Sequence, residues 1–188
     1  MAISHKPEKS VPRLFISYGN PGKRYAQTFG NIAFLFADFV HFRAINILPT
    51  QAARMWVNKS KYQLCVITND PLALLIKPRV FTKDFDNLAR DLFRYYHPPP
   101  EEFYVIYPDP GLKLGQYKVD QRRGRFAPPN VQKLAREIET DNFIKIKLGI
   151  PNKNYDSIFS TDELGEVKTM SYKLGIDLKI IPRLGEPL

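Results

Sequence analysis

The stretch Arg13-Leu14-Phe15-Ile16-Ser17-Tyr18-Gly19-Asn20-Pro21-Gly22 decides the fold. Its first half is apolar and β-favouring. Its second half packs glycine, asparagine and proline, the residues that allow a sharp reversal. A strand ending in a tight turn is the plain reading. Behind it, between Asn31 and Asn46, Ile32, Leu35, Phe36, Phe39 and Val40 recur at helical spacing. Phe34 and Phe42 make this helix apolar nearly all round, which predicts deep burial. Strand, turn and buried helix together form the opening unit of an α/β sheet.

Gln63–Thr68 and Leu72–Lys77 read as two strands joined at Asn69-Asp70-Pro71, a hairpin that Pro78 stops. Thr82 to Tyr96 carries one apolar face (Phe85, Leu88, Ala89, Leu92, Phe93), with Thr82 as expected N-cap and His97-Pro98-Pro99-Pro100 as terminator. Phe103–Tyr107 is a further strand. Pro108–Pro129 reads as a long irregular loop. A helix over Asn130–Thr140 then leads to the alternating strand Phe143–Leu148. Ser160-Thr161-Asp162-Glu163 is a capping box opening a helix to Leu174, and Asp177–Ile181 reads as a last strand. The expected fold is α/β: a single domain with a mixed central sheet flanked by helices. Residues 1–12 are expected to form a flexible tail and residues 13–188 the domain.

A chain of 188 residues with 44% hydrophobic content supports one sizeable core. The formal net charge of +9 predicts attraction to polyanions, nucleic acid first among them. Cys65 is the single cysteine, so neither an internal disulfide nor a cysteine-based metal site is expected. No apolar run approaches the roughly 18 residues of a membrane span. The polar first twelve residues do not resemble a secretion signal. Of the three histidines, His5, His41 and His97, none sits in a catalytic motif, and P-loop, GxGxxG, GxSxG and HExxH patterns are missing. No metal and no small-molecule cofactor are expected.

Between Lys113 and Lys147, nine basic residues (Lys113, Lys118, Arg122, Arg123, Arg125, Lys133, Arg136, Lys145, Lys147) face four acidic ones. Phe126 and Tyr117 interleave with them. Arginines next to aromatics can grip phosphates and stack on an unpaired base. Lys113, Lys118, Arg122, Arg123, Arg125, Lys133 and Arg136 are therefore the expected RNA contacts. A weaker basic patch surrounds Trp56, which can equally pack against the hairpin.

Gly19-Asn20-Pro21-Gly22, Tyr25, Ala26, Thr28 and Asn31 together resemble the opening of bacterial-type peptidyl-tRNA hydrolases. Those proteins follow a strand with Gly-Asn-Pro-Gly, then Tyr, Ala and Thr at this spacing, then Arg-His-Asn. Pro99–Tyr107 and Ser157–Leu164 resemble later segments of the family, so the likeness runs from Arg13 to Leu174. It implies an α/β fold and a pocket in which a histidine activates water to cleave the ester between a peptide and the tRNA 3′ end. It further implies asparagines that bind substrate, an aspartate that orients the histidine, and no metal.

The departures fall on that pocket. The resemblance places the histidine at Gly30, which cannot accept a proton. The preceding arginine is Phe29, and a substrate asparagine is replaced by Lys83. The orienting aspartate is either lost to Pro108 or displaced to Asp109. Asn20, Asn31, Asp109 and Asn130 are the remnants. Asn20 and Asn31 also suit structural duty, as an Asx turn and a helix N-cap. The expectation is a catalytically inactive relative that binds ribosomal RNA or tRNA beside ribosomal proteins, as part of a ribosome or its assembly machinery. Its expected location is mitochondrial, otherwise cytoplasmic. The alternatives are an active hydrolase with a rewired base and a protein-interaction module using the old peptide pocket.

Overall fold

The computed structural model describes residues 11–47, 55–69, 72–121 and 127–181. The strands are β1 (Arg13–Ser17), β2 (Val57–Asn58), β3 (Tyr62–Asn69), β4 (Leu72–Pro78), β5 (Phe103–Asp109), β6 (Tyr117–Asp120) and β7 (Ile144–Gly149). The helices are α1 (Ile32–Ile47), α2 (Phe85–Tyr96), α3 (Pro129–Glu137) and α4 (Thr161–Asp177). All seven strands join one mixed sheet in the order β2-β3-β4-β1-β5-β7-β6. β4, β1, β5 and β7 run parallel, while β2, β3 and β6 are added antiparallel.

Side-chain alternation along the strands splits the core into two layers. Phe15, Leu75, Ile106, Ile146 and Leu148 point to one face, where α1 and α4 cover them with Ile32, Phe36, Val40, Val167, Met170 and Leu174. Leu14, Ile16, Ile76, Val105 and Tyr107 point to the other, under Phe85, Leu88 and Leu92 of α2 and Val131 and Leu134 of α3. β1 is central and buried on both faces, which is why its sequence is an unbroken apolar run. This is the expected architecture, a single α/β domain.

Several local expectations are corrected. Asp177–Ile181 is no strand: α4 runs to Asp177, and Ile180 and Ile181 fold back with their amides on the Gly175 carbonyl. The Pro108–Pro129 stretch is not all loop: it contains the short strand β6, paired antiparallel with β7 later in the chain. Thr82 does not cap α2; it opens a 3-10 turn, and Asp84 occupies the cap position without a side-chain bond. Asn31 likewise ends a 3-10 turn instead of capping α1. α1 is buried through Ala44, but Phe42 and Ile45 near its end are exposed. The Ser160–Glu163 capping box is present as read, with both reciprocal bonds made.

The link from β5 to β6 crosses tightly over the end of β7. A Cβ on Gly149 would lie 1.9 Å from the Lys113 carbonyl oxygen, so only glycine fits there. Lys145 and Lys147, which the alternation of β7 suggests are exposed, are 2% and 6% exposed. Their ammonium groups pair with Asp141 at 2.6 Å and with Asp120 at 3.2 Å.

Candidate active site

Topology marks one place. From β1 the chain moves through α1 to the β4 side, on one face of the sheet. From β5 it moves through α3 to β7, on the other face. Between two such strands a crevice opens beyond their carboxyl ends, the usual ligand position in open α/β sheets. Here that crevice lies beyond Ser17 and Asp109, bordered by the turn after β1, the 3-10 turn at Phe29–Asn31, the approach to α2 and the start of α3.

Hydrogen bonds from three asparagines tie these segments together. The Asn31 side chain, 2% exposed, clamps the Asn20 backbone: its Oδ1 accepts from the Asn20 N–H and its Nδ2 donates to the Asn20 carbonyl, both at 2.8 Å. Gly19 makes room for this clamp, since a Cβ there would stand 2.9 Å from Asn31 Oδ1 and 2.8 Å from the Phe34 ring. Asn20 Oδ1 in turn accepts from the Thr82 N–H at 3.0 Å. Asn130 Nδ2 donates to the Thr82 carbonyl. Asn20 Nδ2 and Asn130 Oδ1 then remain as a donor and an acceptor at the crevice, with no hydrogen bond among the described residues.

Aromatic and acidic groups complete the walls. Burial pushes the Tyr18 phenol up, against a hydrogen bond with the Thr82 side chain. Residues 155–159 run alongside residues 27–30: the Gly30 N–H donates to the Tyr155 carbonyl at 2.9 Å and the Phe29 N–H to the Ser157 carbonyl at 2.8 Å. A Cβ on Gly30 would lie 3.2 Å from the Tyr155 carbonyl oxygen and 3.4 Å from the Tyr155 Cβ. The phenol of Tyr155 is raised by burial and then by the charge of Asp109. Tyr107 is fully buried and its hydroxyl has no hydrogen bond among the described residues. Its phenol is raised by burial and by Asp109, Asp120 and Asp141.

Asp86, in the first turn of α2, is fully buried, and one oxygen binds Lys133 Nζ at 2.5 Å. Lys133 also reaches Glu137, which in turn takes a hydrogen bond from Arg90.

The structure brings Asn20, Asn31 and Asn130 together, with Asp109 and Gly30 bordering the same crevice. Asn20 and Asn31 do structural work, but through a side-chain clamp between segments in place of the expected Asx turn and helix N-cap. The described members of the expected RNA contacts differ in how they are engaged. Lys133 borders the crevice but is engaged by two carboxylates. Lys118 is exposed on β6 and paired with Asp120 at 3.2 Å. Lys113 and Arg136 are exposed and have no ion pair among the described residues, and Arg122, Arg123 and Arg125 lie outside them. Trp56 packs against the hairpin, with Lys77 Nζ 4.5 Å from its ring centroid. Asp86 and Tyr155 have no motif around them; only the sheet topology finds them. Tyr18 stands just before the Gly-Asn-Pro-Gly turn, yet is not among the residues that the sequence singles out. Among the described residues no cluster of His, Cys, Asp or Glu is placed to hold a metal ion, and no helix is long and apolar enough to cross a membrane.

The sequence profile of the peptidyl-tRNA hydrolase family matches residues 14–163. This chain belongs to the peptidyl-tRNA hydrolase family. The peptidyl-tRNA hydrolase of Persephonella marina is 30% identical over 139 residues, covering 72% of this chain and 68% of its own. That of Gloeobacter violaceus is 25% identical over 157 residues, covering 82% and 75%. The crystal structure of the peptidyl-tRNA hydrolase from Acinetobacter baumannii superposes with a TM-score of 0.76, covering 92% of this chain and 89% of that one at 15% identity. The last match establishes the fold alone.

These matches correct the main functional expectation. The departures at residues 29, 30, 83 and 108 suggest an inactive, ribosome-bound RNA scaffold. The relatives just described are all named as peptidyl-tRNA hydrolases, and none is named as a ribosomal component or assembly factor. The departures at Phe29, Gly30, Lys83 and Pro108 are outweighed by relatives that all carry the hydrolase name.

Proposed function

We propose that the chain is an active peptidyl-tRNA hydrolase that cleaves the ester between a peptide and the tRNA 3′ end, with a base other than a residue-30 histidine. The observation that carries this reading is the asparagine clamp at the β1–β5 crevice. It leaves Asn20 Nδ2 as a donor for a substrate carbonyl and Asn130 Oδ1 as an acceptor for a peptide N–H. Tyr155, 43% exposed at the mouth, offers a face for the terminal base. The net charge of +9 favours a polyanionic substrate. The partner in this reading is tRNA.

The test is release of N-acetyl amino acid from N-acetylaminoacyl-tRNA by the purified chain. Turnover is expected, and Asn20→Ala is expected to raise KM through loss of the donor. No release with enzyme in excess over substrate overturns the reading.

A further inference from the structure

We propose that Asp109 is the general base of this hydrolase, taking over at the end of β5 the task that Gly30 cannot perform. The assignment rests on the hydrolase reading above. Ester hydrolysis by water needs a group within hydrogen-bond reach of that water to take its proton. The two described histidines are elsewhere. His41 lies on α1 with its ring 5.3 Å from Trp56, and His97 closes α2 in a left-handed conformation. Asp86 and Asp109 both stand at the sheet side of the crevice. Asp86 is fully buried and bound to Lys133. Asp109 is only half-buried.

The placement of Asp109 follows from the sheet. It is the last residue of β5, on the same alternation as Val105 and Tyr107, and so faces the α2/α3 side. Leu14, Ile16 and Tyr18 face that side from the neighbouring β1. Asp109 Oδ1 is held by the Gly111 N–H at 2.8 Å, and Oδ2 has no hydrogen bond among the described residues. One oxygen is anchored and the other is open. Tyr155 links this carboxylate to residue 30: its backbone is bonded to Gly30 and its phenol lies within the field of Asp109. The other groups facing Asp109 are Tyr107 on its own strand and, beyond Tyr107, Asp120 of β6 with its partners Lys118 and Lys147. No cation pairs with Asp109 itself among the described residues.

The step is ordinary base-assisted hydrolysis. The open oxygen takes one proton from water as its oxygen attacks the ester carbonyl carbon. The tetrahedral adduct then breaks its bond to the ribose oxygen, which receives the proton back from Asp109. The products are a tRNA with a free hydroxyl and a peptide acid, which loses its proton to solvent.

The experiment is a single-turnover rate measurement with N-acetylaminoacyl-tRNA from pH 4.5 to 8.5, using the full chain and its D109N and D109E variants. The asparagine of D109N can still accept from the Gly111 N–H, so folding is expected to be retained and is checked by thermal denaturation. D109N is expected to slow cleavage by about 100-fold or more with tRNA affinity unchanged, and D109E to recover part of the rate. A histidine base would lose rate as pH falls through about 6.5, where imidazoles ionise; the parent rate is expected to show no such acid limb. An active parent with an undiminished D109N rate, or with an acid limb centred near 6.5, overturns this assignment and leaves the hydrolase reading standing. An inactive parent overturns the hydrolase reading and the assignment with it.

Discussion

The turn after β1 and the β6–β7 edge are both rich in polar side chains, yet the two regions use them in opposite ways. In the turn, neutral amides are buried and spent on backbone: Asn31 alone satisfies both polar groups of Asn20. At the edge, charges are set against one another: Lys118 and Lys147 share Asp120, while Lys145 holds Asp141. Amides can fix geometry without a large desolvation cost, because each finds a neutral partner. Buried lysines require paired carboxylates and add nothing to the outward charge. The lesson is that a count of basic residues along a segment overstates the field it projects.

The sharpest way to break this contrast is Asn31→Ala. It strands the Asn20 N–H and carbonyl together, and a loss of about 2–4 kcal/mol is expected from the usual cost of unsatisfied buried groups. Urea unfolding measures it; a loss no greater than that of an exposed alanine substitution would show the clamp to be incidental.

Gly30→His comes next. Its Cβ would press on the Tyr155 carbonyl at 3.2 Å, and overpacking of this kind costs about 1–3 kcal/mol. We expect a lower Tm, and no gain in cleavage without a shift of the residue 155–159 segment. A faster enzyme with unchanged Tm would contradict this.

At the edge, the effect is one of pH. Burial pushes the Asp120 carboxyl up, but hydrogen bonds from Lys118 and Lys147 and their charges outweigh it and hold it below the ordinary carboxylate value. A carboxyl lowered on folding stabilises above its unfolded value and loses that contribution as pH falls through the lowered one. Lys147→Met is expected to move acid unfolding to higher pH, read by circular dichroism between pH 2 and 6. No movement would mean that Lys118 alone holds Asp120.

The smallest effect concerns binding. Lys113 has no ion pair among the described residues, whereas Lys118 is paired. If both meet phosphate, Lys113→Ala should lower the salt dependence of tRNA binding by about one unit of slope, and Lys118→Ala by less. Equal slopes would show that the Asp120 pair does not shield Lys118.

The same contrast explains what the sequence reveals. β1, α1, the β3–β4 hairpin and the capping box at Ser160 are legible because their signals are local: apolar period, turn residues, a side chain three positions from its partner. Asn20, Asn31 and Asn130 are legible through the family pattern. β6 is not legible although Tyr117-Lys118-Val119-Asp120 alternates, because four residues inside a Pro- and Gly-rich stretch are too short a signal without their partner β7. Lys145 and Lys147 alternate with the apolar residues of β7, and alternation alone does not say that both faces of that strand are covered. Tyr155 is invisible until its loop is placed against Gly30. The loss of activity inferred from the departures at residues 29, 30, 83 and 108 is corrected by the family matches: departures say what is missing, while the crevice says what remains.

The glycine at the end of β7 has a bearing on synthesis. β6 leaves the translating machinery before β7, its single strand partner, and before Gly149, over which the residue 111–116 link must lie. The already emerged β6 therefore has no edge to join until the chain has grown past that glycine. At this side of the sheet, β6 joins only after β7 has been made, the reverse of the order of translation.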